Sequence, residues 1–266
     1  MPSVNTNIGA LLAQKYLRAT SDQLNSVQNH VSSGLRVAGS ADDASTFAVA
    51  QGLRADIKSY VAVSSALSGA KAVATVAVTA AESISNRLQD VKAKVLQLAD
   101  DSISAASRAS YQTDLQAMIA EVNSYLQSAS YNGTNVLAST NNVKTVANID
   151  ASTITITAQN VQNMTMTTIT GSASSTTALA ELNTFKAAID TALANLGANV
   201  KAIDAQNEFI KQVNETVTVG LGALVDADMA KETAALQALQ VKQQLGVQAL
   251  GIANQAPQAL LSLLRG

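Results

Sequence analysis

The chain has 266 residues, with 17 Lys and Arg against 19 Asp and Glu, for a formal net charge of −2. It has no Cys and a single His, His30, which excludes a disulfide framework, thiolate metal sites, Cys nucleophiles and any multi-His centre. Hydrophobic residues reach 47% but aromatics only 3%, which favours long thin helices in close contact, and the absence of any basic patch or tail argues against nucleic acid.

The first ten residues have no positive n-region and no long apolar h-region, so they do not read as a secretory signal peptide. No stretch of about 18 apolar residues is expected to span a bilayer, and on the residues alone the chain reads as cytoplasmic. Pro occurs only at Pro2 and Pro257, so almost nothing interrupts a helix from within. Leu17, Thr20, Leu24, Val27 and Val31 step by three and four and predict a first helix, closed by a loop at Gly34 and Gly39. A second helix is expected over about 44–99. Its stripe runs through Leu53, Ile57, Tyr60, Ser64 and Leu67, then Ile84, Leu88, Val91, Val95 and Leu98. A third, over about 107–129, puts Leu115, Met118, Val122 and Tyr125 on one face.

The pattern then changes. Asn132-Gly133, flanked by residues compatible with β structure, predicts a hairpin turn. From 139 to 177 the chain is rich in Ser, Thr and Asn, and period-two alternation at 153–157 and 164–167 predicts two or more short strands. The alternative is a structureless Ser/Thr loop. Helical spacing resumes along Leu179, Leu182, Lys186, Ile189, Leu193, Leu196, Val200, Ile203, Asn207, Ile210, Asn214, Val217, Leu221 and Leu224. Three polar members interrupt that seam, as where a seam fixes register. The helix would be roughly 70 Å long and needs a partner, because isolated helices are marginal in water; the second helix has the matching length. Gly220 and Gly222 predict a hinge, followed by a last helix from about 226 to 264. The fold class expected is mainly α: a long antiparallel, coiled-coil-like helical hairpin bundle with paired terminal helices and a small β-containing insert. An inner core would comprise 1–40 and 224–266. A helical domain would comprise 41–140 and 178–223, with a small variable outer insert at 141–177.

Catalytic chemistry is hard to find. Asp42-Asp43 reads as a loop and helix start rather than an acid or metal site, and Asp226 and Asp228 read as charges at a helix N-terminus. Gly220-Leu221-Gly222 is too short for a phosphate loop and follows no strand. His30, among polar residues, is expected to be exposed. No cofactor, metal or catalytic residue is assigned. The informative region is the end of the chain, where Leu260, Leu261, Leu263 and Leu264 would expose more apolar surface than a monomer keeps in water. Subunit contacts are therefore expected at these four, at Leu17, Leu24, Val27 and Val31 of the first helix, and at Leu236, Val241, Leu245 and Ile252 of the last.

Three separated runs carry a family resemblance. Ser33-Gly34-Leu35-Arg36 through Ala41-Asp42-Asp43-Ala44, with the earlier Asn5-Thr6-Asn7, resembles the bacterial flagellin pattern near its first turn. Leu224-Val225-Asp226-Ala227-Asp228-Met229-Ala230 resembles the flagellin C-terminal entry. Leu245-Gly246-Val247-Gln248 and Ala253-Asn254-Gln255-Ala256-Pro257-Gln258, followed by Leu261-Ser262-Leu263-Leu264-Arg265, resemble its terminal signature. The wording is most similar to the compact flagellins of alphaproteobacteria, and the match covers about residues 1–140 and 178–266. One departure is Ala41, where the family often has Lys.

The resemblance implies a structural, non-enzymatic subunit that polymerises into the flagellar filament for motility. It would be exported unfolded through the flagellar type III channel without a cleaved signal peptide, so the location becomes extracellular. Its main partner would be itself, with other flagellins, hook-associated and cap proteins and an export chaperone also implied, and neither nucleic acid nor membrane. The alternative in the same class is a hook–filament junction protein; a type III needle or translocator coiled coil would lack both terminal motifs. Flagellins sensed by the innate Toll-like receptor carry a run resembling Leu-Gln-Arg-Val-Arg-Glu-Leu-Ala-Val-Gln. Here the run is Leu88-Gln89-Asp90-Val91-Lys92-Ala93-Lys94-Val95-Leu96-Gln97. Asp90 stands where an Arg is expected and Lys94 where an apolar Leu is expected. Both departures would act against receptor binding, and both are expected on one exposed helix face.

Overall fold

The computed structural model describes the backbone of residues 6–265 and the side chains of residues 6–255. Five helices and one two-stranded sheet follow in the order α1 (Ile8–Ser33), α2 (Ala44–Leu98), α3 (Ala105–Ser128), β1 (Val143–Val146), β2 (Thr153–Ile156), α4 (Ser172–Val225) and α5 (Met229–Arg265). They form two compact units, Met1–Ala55 with Thr216–Gly266, and Asp56–Glu215.

Each helix starts where a short polar side chain can accept from its free N–H groups. Asn7 Oδ1 accepts from Ala10 N at 3.0 Å and begins α1, which ends at Gly34 in the left-handed conformation. Asp43 Oδ1 accepts from Ser45 N and Thr46 N at the head of α2, while the Thr46 and Ser45 hydroxyls hold its carboxyl well below the usual carboxylate range. Asp42 Oδ2 accepts from Ala38 N and Gly39 N and closes the preceding turn. Ser104 caps α3. The cap of α4 comes from elsewhere: Asp101, between α2 and α3, accepts from Ser172 N at 3.0 Å and Ser172 Oγ at 2.8 Å. Asp228 Oδ1 accepts from Ala230 N and Lys231 N and begins α5. Asp226, by contrast, pairs as an isolated bridge with Leu35.

In the second unit the seams of α2, α3 and α4 share one core. Leu67, Ile84, Leu98, Leu115, Leu126, Leu182, Ile189, Leu196 and Ile203 are fully buried there. Cross-links show α2 and α4 running antiparallel: Ser64 Oγ donates to Asn207 Oδ1 at 2.6 Å, Lys71 pairs with Asp204 at 2.6 Å, and Asp101 meets Ser172. One expected polar seam member, Asn207, thus does bond across the seam, whereas Lys186 is exposed and pairs with Asp190 on its own helix. On α3 the buried position falls on Leu126 and Tyr125 turns outward, its hydroxyl on Glu121.

The 139–177 segment departs from expectation in its strands. β2 lies within the first alternating run, but its antiparallel partner is β1, in the register Val143 opposite Ile156. Residues 164–167 form no strand, because Met164 pairs with a side chain: Asn123 Nδ2 donates to Met164 O at 3.0 Å and Asn123 Oδ1 accepts from Met164 N at 2.7 Å. Ile156, Val161, Met164 and Ile169 from this stretch complete the main core. Asn132 and Gly133 both have positive φ, 47° and 77°, and reciprocal Tyr131–Thr134 backbone bonds close the turn, as a type I′ turn requires.

Three further expectations are corrected. α4 runs unbroken through Gly220 and Gly222, and the chain turns at 226–228 instead; the Asp226 carboxylate rests against Gly222, where a Cβ would lie 2.7 Å from its Oδ2. His30 is largely covered, with Nδ1 3.7 Å from Glu232 Oε2. α2 does contain an 18-residue window of mean hydropathy 1.6, because its many Ala and Val residues score as apolar. A third of that window is buried inside the protein.

Candidate assembly interface

The chain ends meet as an antiparallel helix pair. Asn7 Nδ2 donates to Ala253 O at 2.7 Å, Gln243 Nε2 donates to Ser21 Oγ at 3.4 Å, and His30 faces Glu232. The approach is close at Gly246, where a Cβ would sit 3.2 Å from Leu17 Cδ1. At one end of the pair, the α1–α2 and α4–α5 connections bond to each other. Arg36 N donates to Val225 O at 2.7 Å, Ala227 N donates to Gly34 O at 2.9 Å, and the Arg36 guanidinium reaches Leu224 O at 2.6 Å. Val37, Ala50 and Val225 are buried beneath this joint, with Leu35, Phe47 and Leu221 against them.

The pair is nevertheless poor in core. α1 has 26 residues and not one is buried, and Leu239 is the sole buried residue of α5 among its described side chains. The expected contact residues fall into two sets. Leu17, Leu24, Val27, Val31 and Leu236 are half-buried, whereas Val241, Leu245 and Ile252 are exposed, Ile252 by 71%. Leu260, Leu261, Leu263 and Leu264 lie outside the described side chains. The heptad reading passed over a second exposed apolar row on α1: Ile8, Leu11, Leu12 and Tyr16 are each at least 50% exposed. Ile8, Leu12 and Tyr16 follow one another by four, the signal that could have found them.

The two receptor-region residues differ in setting. Asp90 is exposed and pairs with Arg87 at 3.0 Å. Lys94 is not on a free face: it pairs with Asp114 of α3 at 2.6 Å, lies 5.0 Å from the Tyr111 ring, and its side chain is 16% exposed. Arg87 also binds Glu121 at 2.5 Å; the Tyr125 hydroxyl, more than this guanidinium, draws the Glu121 carboxyl below its ordinary value. None of these groups converges on a site for chemistry, and no group of three or more His, Cys, Asp or Glu that could hold a metal occurs among the described residues.

Comparison with known proteins gives this helical arrangement its meaning. Residues 4–142 match the bacterial flagellin N-terminal helical region and residues 179–264 match the bacterial flagellin C-terminal helical region. The chain belongs to the bacterial flagellin family. Flagellin FljO of Caulobacter vibrioides is 35% identical over 99% of this chain and 98% of its own length. A flagellin of Brucella melitensis is 36% identical over the full length of both chains. Both organisms are alphaproteobacteria, in keeping with the compact form of the chain. A Vibrio parahaemolyticus protein described as flagellar hook-associated shares the fold, with a TM-score of 0.60 over 70% of this chain and all of that one, at 13% identity. As a flagellin the chain is a structural subunit of the extracellular flagellar filament, built by self-polymerisation for swimming motility.

Proposed function

We propose that polymerisation runs through the α1–α5 pair, whose exposed apolar rows become buried between copies of the chain. The observation that carries this is a 26-residue helix with no fully buried residue in its own chain. Helices gain their stability from packing an apolar face, and Ile8, Leu11, Leu12 and Tyr16, with Val241, Leu245, Val247 and Ile252, leave that packing unfinished. Each Leu, Ile or Val that moves from water into a contact contributes about 1.5–3 kcal/mol, so a few such residues per helix suffice to drive assembly. A second copy is the natural occupant, because the terminal runs match the helical regions of a polymer-forming family. On this reading the chain is no enzyme and needs no cofactor. A Cys-free chain suits unfolded export through the flagellar channel followed by life outside the cell. Hook-associated and cap proteins, an export chaperone and other flagellins are the further partners.

Two variants test the interface. Removing residues 250–266 should abolish sedimentable filaments while the truncated chain keeps its helical circular dichroism. Val241→Asp with Leu245→Asp changes only exposed positions, so the monomer should unfold at the wild-type midpoint and yet not polymerise. Filaments of normal length from either variant would overturn the assignment. Electron microscopy of the wild type separates the readings: long helical filaments support a filament flagellin, short caps a junction protein.

A further inference from the structure

We propose that a groove on the second unit, between the extended segment 159–165 and the N-terminal half of α4, is a binding site for a neutral saccharide. The groove encloses about 540 Å³, within the range of small-ligand sites. Val161 and Met164, both anchored in the main core, form its floor, and half-buried Phe185 lines it from α4. Ala180 and Ala188 keep the helical wall low. The rim is polar and uncharged: Gln162, Asn163, Thr165 and Thr177 are exposed there.

The charge of the lining decides the class of ligand. No Lys, Arg or His lines the groove, so nothing offers a counter-charge to a phosphate, sulfate or carboxylate. The single ionisable side chain is Glu181, and both of its oxygens are already engaged, by Thr167 N and Thr167 Oγ1, each at 2.7 Å. Gln162 Nε2 already donates to Asn160 Oδ1 at 2.6 Å, which leaves Gln162 Oε1, the Asn163 amide nitrogen and the Thr165 and Thr177 hydroxyls to donate and accept around an apolar floor with one aromatic ring. A pyranose presents the complement: hydroxyls that both donate and accept around its edge, and a C–H face that an aromatic or apolar surface covers.

The groove is also held in shape before any ligand arrives. Asn123 clamps the backbone of Met164 from α3, Val161 N donates to Leu137 O at 2.9 Å, and Asn195 Nδ2 holds Gln159 Oε1 at 2.9 Å. A preformed site loses less entropy on binding. The site is independent of the α1–α5 interface, because every residue that lines it belongs to the second unit.

Amide NMR of the full-length monomeric chain, titrated with glucose, galactose, N-acetylglucosamine, lactose and maltose, tests the proposal. Saturable shifts confined to 159–165 and 177–188, with at least one sugar binding in the low millimolar range, are expected. Phe185→Leu keeps an apolar group against the core and should weaken binding roughly tenfold. Gln162→Ala with Thr177→Val, both exposed, should weaken it severalfold without changing the unfolding midpoint. A neutral polysaccharide beside its monomer tells a glycan-chain site from a free-sugar site; stronger binding per sugar unit assigns the chain, equal binding the free sugar. The proposal is overturned by no shifts with any sugar at tens of millimolar, or by shifts unchanged in both variants. A stronger response to inorganic phosphate or sialic acid also overturns it. So do concentration-dependent shifts of these amides without sugar, which would make the groove the seat of a second copy.

Discussion

Asn123 offers the sharpest test of how the second unit is built. Its amide serves Met164 as a neighbouring strand would, accepting from the backbone N–H at 2.7 Å and donating to the carbonyl at 3.0 Å. Met164 is only 3% exposed, so water cannot readily replace the lost partner in Asn123→Ala. Leaving the buried Met164 N–H and C=O without partners costs about 1–3 kcal/mol each, roughly 2–6 kcal/mol for the two. Alanine's better helix propensity returns about 0.5 kcal/mol, which leaves a loss of roughly 1.5–5.5 kcal/mol. At about 2–4 °C per kcal/mol for a unit of this size, the thermal midpoint should fall by roughly 3–22 °C. Urea unfolding followed by circular dichroism measures the loss directly. Asn123→Asp adds a signature: at neutral pH its carboxylate faces the Met164 carbonyl without a proton to donate, so it should be at least as damaging as alanine. Its deficit should shrink in acid, when the carboxyl gains that proton. If Asn123→Ala stayed within about 0.5 kcal/mol of wild type, the side chain would not be what holds this segment.

Three further outcomes are expected. Ile203→Ala, at a fully buried α4 position, should cost about 2–5 kcal/mol in the same urea assay, with an unchanged urea m-value. The Ser172 hydroxyl and backbone N–H hold the Asp101 carboxyl below its ordinary value, so its contribution is complete above the unfolded pKa and is lost as pH falls through the depressed folded one. Stability measured against pH should therefore decline below about pH 4, and less steeply in Asp101→Asn; identical slopes would remove Asp101 from the account. The wild-type monomer should activate Toll-like receptor reporter cells weakly and the Asp90→Arg, Lys94→Leu double mutant more strongly. Potent wild-type activation would sink that idea, and unfolding controls are needed because Lys94→Leu also removes the Asp114 pair.

Much of the helical architecture was legible from the sequence because helices are local. Apolar spacing, Asp43 and Asp228 at helix starts, and the scarcity of Pro located the long helices, although α4 begins at Ser172, ahead of its apolar run, and the terminal runs named the family. The polar composition of 139–177 marked a change of structure, and the Asn132-Gly133 turn followed from backbone chemistry alone. What the sequence could not show was set by partners distant along the chain. Alternation at 164–167 signals an extended segment but not whether a strand or the amide of Asn123 satisfies it. Val143–Val146 is too short to announce itself and becomes a strand only because β2 lies beside it. Charged and polar residues read as solvated were claimed by neighbouring helices, Lys94 by Asp114 and His30 by Glu232, since a helical pattern specifies a face and not what covers it. Gly220 and Gly222 looked like a hinge because glycine permits one; the turn at 226–228 was decided by the backbone bonds between 34–37 and 225–227, which local propensity does not encode.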